Sequence, residues 1–460
     1  MNRLVALATL VGSAHSHSSS EWSQRTIYQV LTDRLATDTS NTGTEACKDL
    51  TTYCGGTWKG IEAQLDYVAG MGFDAIWISP MPENMGNDYH GYAFLDLYKL
   101  NSHFGTEDDL KSFVAAAHER DIWVMLDVVG NHVAPVDLSF ELVNPFNSSE
   151  YYHSKCQIND WDNQEEVENC RLANLPDLDQ NNAFVRSTLV DWVSTLGAKY
   201  GFDGLRVDTI PEVHPDFWSE FTSAAGMYCV GEVFNGDIGY VSAYQNYVDG
   251  VLSYPLYFTM RDVFGSKHSM YALEGLLGPS GTYATYFKDV NLLGTFIDNH
   301  DNPRFLYDYN NVISYKNALA MTLFTTGIPI VYYGTEQAYH GGADPANRES
   351  LWPNYNRQSD LYLYLQQLIA TRKSYKVYAY SQVQRYASDD FYAFSRGEVL
   401  VCLTNSGGSD VTKTVSYLPF EQGDVVCNVL AENDCLTVSN SGITVTLTGG
   451  LPKIYVTQQA

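Results

Sequence analysis

Between Ile27 and Tyr333, short apolar runs alternate with segments of helical period, and this alternation limits the fold more than any other feature. The runs are Ile27–Leu31, Ala75–Ser79, Val124–Val129, Leu205–Val207, Tyr228–Val233, Gly250–Leu256, Thr295–Ile297 and Ile330–Tyr333. Amphipathic helices lie between them. One starts at Thr106, with Asp109 three residues on as a capping partner, and continues through Leu110, Phe113, Val114 and Ala117. Others carry Phe184, Leu189, Trp192, Val193 and Leu196, and then Leu361, Leu365, Leu368 and Ile369. The phrase Gly72-Phe73-Asp74 before one strand returns as Gly201-Phe202-Asp203 before another, as equivalent helix-to-strand turns would. Eight strand–helix units predict an α/β fold of the (β/α)8 TIM-barrel type. The parallel alternative is an open doubly wound sheet. It is weakened because no Gly-rich phosphate loop follows the first strand.

A chain of 460 residues is too long for one ordinary core. The segment His132 to Asn181 lacks helical periodicity and is too long for a plain loop, so it reads as an inserted subdomain after the third strand. After about Tyr380 the runs Val383–Tyr386, Phe391–Arg396, Val399–Thr404, Val411–Val415, Ile443–Leu447 and Ile454–Val456 are punctuated by Gly, Ser and Asn. That pattern predicts a C-terminal all-β domain. The expected division is a leader over 1–20, barrel over 21–132, insertion over 133–181, barrel again over 182–380 and a β-sandwich over 381–460.

Met1-Asn2-Arg3, the apolar stretch Leu4 to Val11 and then Gly12-Ser13-Ala14 have the form of a secretory signal, so a secreted, extracellular protein is expected. The apolar stretch is too short to span a bilayer, and the end Gln458-Gln459-Ala460 has no anchor-like character. Secretion permits disulfides, and Cys47/Cys54, Cys156/Cys170 and Cys427/Cys435 are close enough to close local loops, although spacing does not fix connectivity. Cys229 and Cys402, inside apolar runs, read as buried thiols, and Asn147-Ser148-Ser149 is a glycosylation sequon. With 54 acidic against 27 basic residues, the net charge of −27 repels phosphate backbones and anionic lipid, so neither nucleic acid nor membrane is an expected partner.

In a (β/α)8 barrel the reactive groups collect at the C-terminal ends of the strands. The third strand ends Asp127-Val128-Val129-Gly130-Asn131-His132, the fourth carries Arg206 and Asp208, and the fifth ends Gly231-Glu232-Val233. Asn299-His300-Asp301-Asn302-Pro303-Arg304 follows the seventh. Arg206 and Asp208 lie two apart and share a strand face, which alone fits a buried ion pair as well as a reaction centre. Carboxylates at several strand ends, with His beside two of them, favour the reaction centre.

These four stretches, with Leu175-Pro176-Asp177-Leu178-Asp179 and Asp344-Pro345-Ala346-Asn347-Arg348, resemble the sequence regions of the α-amylase family of glycoside hydrolases, nearest to its fungal secreted members. The resemblance implies Asp208 as nucleophile, Glu232 as general acid/base and Asp301 as the third carboxylate of a retaining mechanism. It also implies His90, His132 and His300 as hydroxyl contacts, Tyr92 as a stacking ring, Arg206 as the charge beside Asp208, and Asp344 and Arg348 as donor-side contacts. It further implies a calcium ion held by side-chain oxygens of Asn131 and Asp177 and by backbone carbonyls of Glu168 and Glu212.

Two departures stand out. Pro211-Glu212 replaces the family's usual Lys-His on the acceptor side, and Ala93 stands where Trp is common. The expected activity is endo-hydrolysis of α-1,4-glucosidic bonds in starch and related α-glucans by a monomer. A 4-α-glucanotransferase or α-glucosidase of the same family is the alternative. An inactive carbohydrate-binding relative is disfavoured because all three carboxylates are present.

Overall fold

The computed structural model describes residues 17–38 and 45–458; residues 1–16 of the leader expected over 1–20 lie outside the described residues. Eight strands form one parallel sheet: β1 (Ile27–Gln29), β2 (Ala75–Ile78), β3 (Trp123–Val128), β4 (Gly204–Val207), β5 (Tyr228–Gly231), β6 (Gly250–Val251), β7 (Gly294–Thr295) and β8 (Ile328–Tyr332). They pair in the order β6-β5-β4-β3-β2-β1-β8-β7, and a bridge between Leu252 and Gly294 brings the two outer strands together. This is the predicted TIM barrel.

Strand periodicity builds a graded interior. Ile27, Ala75, Trp77, Trp123, Met125, Tyr228, Val230, Ile328 and Ile330 pack into one apolar cluster, with Trp22 at its base. Alternation carries the same strand face upward to Asp127, which sits in register with Arg206. The bottom of the barrel is therefore hydrophobic and its upper layer charged.

The repeated Gly-Phe-Asp phrase has a physical basis. Gly201 ends the helix Ala183–Tyr200 at φ +82°, a left-handed conformation that favours glycine. Phe202 is buried, and Asp203 Oδ2 accepts from the Val124 N–H at 2.7 Å. Asp74 does the same for the Thr26 N–H at 2.7 Å, so each Asp pins an amide at the start of the neighbouring strand. Asp249 repeats the device on the Cys229 N–H at 2.9 Å without the full phrase.

The helix Glu107–His118 begins with the expected reciprocal cap, Thr106 and Asp109 each accepting from the other's backbone. The sixth strand is shorter than the predicted Gly250–Leu256. It stops at Val251, and Tyr254–Met260 is helical, with Pro255 in the first turn where its missing N–H costs nothing. An apolar run alone does not separate buried strand from buried helix. A hairpin of Pro82–Asn84 and Phe94–Leu100, not anticipated, follows β2 and carries His90 and Tyr92 between its arms.

The segment after β3 is mostly irregular, with a short α-helix at Gln164–Asn169 and 3-10 turns at Phe140–Leu142 and Ser149–Tyr151. It is tied to the rest by bridges His132–Asp177 and Asp96–Asn144. The C-terminal region has a six-stranded and a two-stranded antiparallel sheet around a shared apolar cluster that includes Phe391, Leu400, Val415, Val445 and Tyr455. Two of its strands, Val425–Asn428 and Cys435–Thr437, escaped the sequence pattern because they are short and polar-flanked. Disulfides join Cys47 to Cys54, Cys156 to Cys170 and Cys427 to Cys435, while Cys229 and Cys402 are buried thiols.

Candidate active site

A cleft of about 690 Å³ opens at the C-terminal ends of the strands. His90, Tyr92, His132, Asp208, Glu212, Glu232, His300, Asp301, Asp344 and Arg348 all line it. Arg206 lies beneath, 1% exposed, and is the centre of the charge arrangement. Its Nη1 donates to Asp208 Oδ1 at 2.6 Å and to Asp127 Oδ1 at 3.1 Å, while Nη2 reaches Glu232 Oε2 at 2.8 Å. One planar guanidinium thus spans three carboxyl groups from three adjacent strands.

Glu232 also accepts from the Thr209 N–H at 3.3 Å. Burial raises Glu232 well above the usual carboxylate range, and Asp208, Asp301 and Glu212 add to the rise against the pull of Arg206. That favours its protonated form, the form a general acid needs. Burial, with Asp208 nearby, likewise pushes Glu212 up to about 8.

Sequence reasoning named Asp127 only as a strand end. In the structure it is a hub, accepting from Trp77 Nε1 at 3.0 Å and from the Tyr92 hydroxyl at 2.8 Å as well as from Arg206. Its inward parity with Arg206 was the signal that could have found it. The cleft also exposes Trp161 (57%) and Phe234 (52%), two aromatic faces that the sequence reading did not single out.

The three histidines are held in defined tautomers. Tyr92 gives its only hydroxyl proton to Asp127, so its 2.7 Å contact with His300 Nε2 requires the proton on that nitrogen. Nδ1 of His300 then accepts from Gln29 Nε2 at 2.8 Å. Burial, with Arg348 and Arg206 near, lowers His300 well below the usual imidazole range. His90 Nδ1 accepts from the Tyr92 N–H at 3.1 Å, leaving its Nε2–H toward the cleft, and burial lowers it to about 3. Neutral imidazoles of fixed tautomer suit hydroxyl recognition. At the far wall Arg348 Nη1 lies 3.1 Å from Asp344 Oδ1 and its Nη2 3.7 Å from Asp301 Oδ1.

Behind the cleft three of the four expected cation ligands, Asn131, Asp177 and Glu212, come together. Burial lowers His132, and its Nε2 faces the Tyr92 carbonyl at 3.1 Å, so the proton belongs on Nε2. Its Nδ1 then accepts from the Asn131 amide nitrogen at 3.2 Å. This turns the Asn131 oxygen toward Asp177 Oδ1 at 2.8 Å and the Glu212 carbonyl at 3.1 Å. The opposite amide rotamer would satisfy those two acceptors but leave His132 Nε2 facing a carbonyl with no proton. Three converging oxygens therefore fit a hard cation. Glu168 lies on the helix docked beside them, where Gln164 Nε2 donates to the Pro211 carbonyl at 2.9 Å. Among the described residues no cluster of three His, Cys, Asp or Glu could hold a metal, and this set combines one carboxylate with an amide oxygen and a backbone carbonyl.

Comparison with known proteins places this architecture. Residues 29–381 match the family model for the α-amylase catalytic domain. Alpha-amylase 2 of Schwanniomyces occidentalis is 38% identical across 98% of this chain and 95% of its own length. An α-amylase of Saccharomycopsis fibuligera is 38% identical across 95% and 92%. The solved structure of an α-amylase from Malbranchea cinnamomea superposes with a TM-score of 0.91 at 39% identity, covering 96% of this chain and 98% of that one. The chain belongs to the α-amylase family of glycoside hydrolases.

Proposed function

We propose that the protein is a secreted, retaining endo-hydrolase of α-1,4-glucosidic bonds in starch and related α-glucans. The observation that carries this reading is the single Arg206 guanidinium on both Asp208 and Glu232. A shared guanidinium favours the close carboxyl spacing of retaining enzymes, about 5–5.5 Å, over the wider spacing of roughly 6.5–9.5 Å that an inverting enzyme needs for its water. Asp208, charge-paired with Arg206, attacks the anomeric carbon. Glu232, its proton retained through burial, gives that proton to the departing glycosidic oxygen. Water then attacks the glycosyl ester as Glu232 takes a proton back, and Asp208 is released. Asp301 stabilises the positive charge of the transition state, and His90, His132, His300 and Tyr92 hold the sugar above it. Asp344 and Arg348 bind further out on the donor side.

Calcium fits the oxygens of Asn131, Asp177 and Glu212, with Glu168 beside them. When bound it supplies charge that ties the inserted segment to the end of β4. The barrel, insertion and β-domain limits given above belong to this reading, with the leader ending before His17 instead of at residue 20, since His17 stacks on Trp123 at 3.6 Å. Asn147 is exposed, as a glycosylated residue must be. A monomer acting on soluble glucan completes the proposal.

A glucanotransferase or α-glucosidase activity is the second reading, favoured by Pro211-Glu212. Incubation with a long maltooligosaccharide, followed by sizing of products, tests both. Shorter internal fragments are expected. Glucose released only from chain ends, or products predominantly longer than the substrate, would overturn endo-hydrolysis.

A further inference from the structure

Arg348 enters the cleft with its guanidinium between Asp344 and Asp301, so the direction of that group matters to both carboxylates. Several contacts fix it. Its Nε donates to the His300 carbonyl at 3.1 Å, and its Nη1 donates to the Tyr89 hydroxyl at 3.4 Å. The backbone behind it is held by Arg34. Nη1 of Arg34 donates to the Arg348 carbonyl at 2.9 Å, and the Arg34 carbonyl accepts from the Leu351 N–H at 2.8 Å.

Arg34 is fully buried, yet neither it nor Tyr89 lines the cleft. A buried guanidinium is costly unless its donors are paired. Here they are. Nε donates to Asp33 Oδ2 at 2.8 Å, and Nη2 donates to the carbonyls of Leu50 at 3.1 Å and Thr52 at 2.9 Å. Both carbonyls belong to the loop closed by the Cys47–Cys54 disulfide. Asp33 in turn accepts from the Cys54 and Gly55 N–H groups at 2.7 and 3.0 Å. The guanidinium carbon of Arg34 also lies over the Tyr89 ring, 3.7 Å from its centre, in a desolvated cation–π contact. One guanidinium therefore supports Tyr89 with its face and the Arg348 backbone with its edge.

We propose, resting on the donor-side reading of Arg348 above, that Arg34 and Tyr89 are positioning residues that aim Arg348 at the bound glucan. The disulfide-closed loop is the frame that holds Arg34 in place. Neither residue touches substrate; both act through Arg348. Y89F removes only the hydroxyl that Arg348 donates to and keeps the ring beneath Arg34. R34K keeps the charge but gathers its donors on one nitrogen, which cannot lie flat on Tyr89 and also reach the Arg348 carbonyl and the loop.

The test is steady-state kinetics of the full-length enzyme and both variants on maltohexaose, with folding followed by thermal melting. A purely structural role lowers the fraction of folded enzyme, which scales kcat and leaves KM where it is. Lost donor-side binding raises KM instead. Y89F is expected to raise KM about threefold and R34K about tenfold, each with kcat within about twofold of wild type, as loss of one and of several contacts to a charged group implies. Should R34K not fold, D33N loosens the same guanidinium more gently and is expected to raise KM about threefold. An unchanged KM in Y89F overturns the inference. An unchanged KM in R34K, or in D33N where it stands in, overturns the part given to Arg34. A wild type that cleaves no α-1,4-glucan overturns the underlying reading, and this inference with it.

Discussion

Arg206 and Asp208, two residues apart on one strand face, meet at 2.6 Å between Nη1 and Oδ1. The same guanidinium holds Asp127 and Glu232, so it sets the positions of a nucleophile and an acid/base together. Lysine carries its donors on a single nitrogen and has no planar fork to hold three carboxyls in this spacing. Arg206→Lys is expected to lower kcat on soluble starch by roughly 10²–10³-fold. It should also lower the melting temperature, because two of three buried carboxyls lose their partner. Kinetics and melting measured on one preparation check both outcomes. Retention of more than half the activity would contradict the assignment.

The raised Glu232 predicts the alkaline side of the pH–rate profile. A carboxyl whose pKa is raised stays protonated past the ordinary glutamate value of 4.5, and activity falls only when pH climbs through the raised value. Glu232→Gln cannot donate a proton, so kcat/KM should drop about 10²–10⁴-fold and the residual rate should lose that alkaline limb. A variant that keeps the limb would reassign the acid.

The oxygen cluster at Asn131 predicts calcium-linked stability. A ligand that binds only the folded state at about a hundred times its Kd adds about 2.7 kcal/mol. A chelator should therefore lower the melting temperature, and added calcium should restore it. Asn131→Ala removes an oxygen that faces both Asp177 and Glu212, so its melting temperature should respond much less to calcium. Titration calorimetry gives a readout independent of activity. Equal calcium response in the two proteins would rule out this site.

How far the sequence carried can be judged residue by residue. The eight strands were legible because each is a short apolar run between helices, and the carboxylates were legible because they stand at strand ends. Asp127 was read only as an end. Its role depends on Trp77, Tyr92 and Arg206 converging on it from separate segments, which spacing along one chain does not reveal. The hairpin holding His90 and Tyr92 was missed for a different reason. Its arms are three and seven residues long, and its register shifts twice, so no clean alternation marks it. The end of β6 was lost because Tyr254 and Leu256 satisfy a buried strand and a buried helix equally, and only Pro255 pointed to the helix.

At the opposite end of the barrel, His118 Nε2 meets Asp203 Oδ2 at 2.8 Å, the same oxygen that pins the Val124 amide. His17 Nε2 approaches the other oxygen at 3.4 Å, so the contact joins the N-terminal segment, a helix end and the base of β4. The hydrogen bond to Asp203 raises His118 above the ordinary imidazole value of 6.5, against its partial burial. A group raised on folding contributes its full stability below its unfolded pKa and loses it as pH rises through the folded value. The loss therefore begins near pH 6.5 and continues upward. The His118 side chain is 39% exposed, and solvent screening limits the effect to about 1 kcal/mol or less. Other groups titrate over the same range, so the informative quantity is the difference between wild type and His118→Gln. Wild type should melt higher than the variant at pH 6, and the gap should narrow by pH 8. A gap that is constant or widens with pH would show that the ion pair does not contribute.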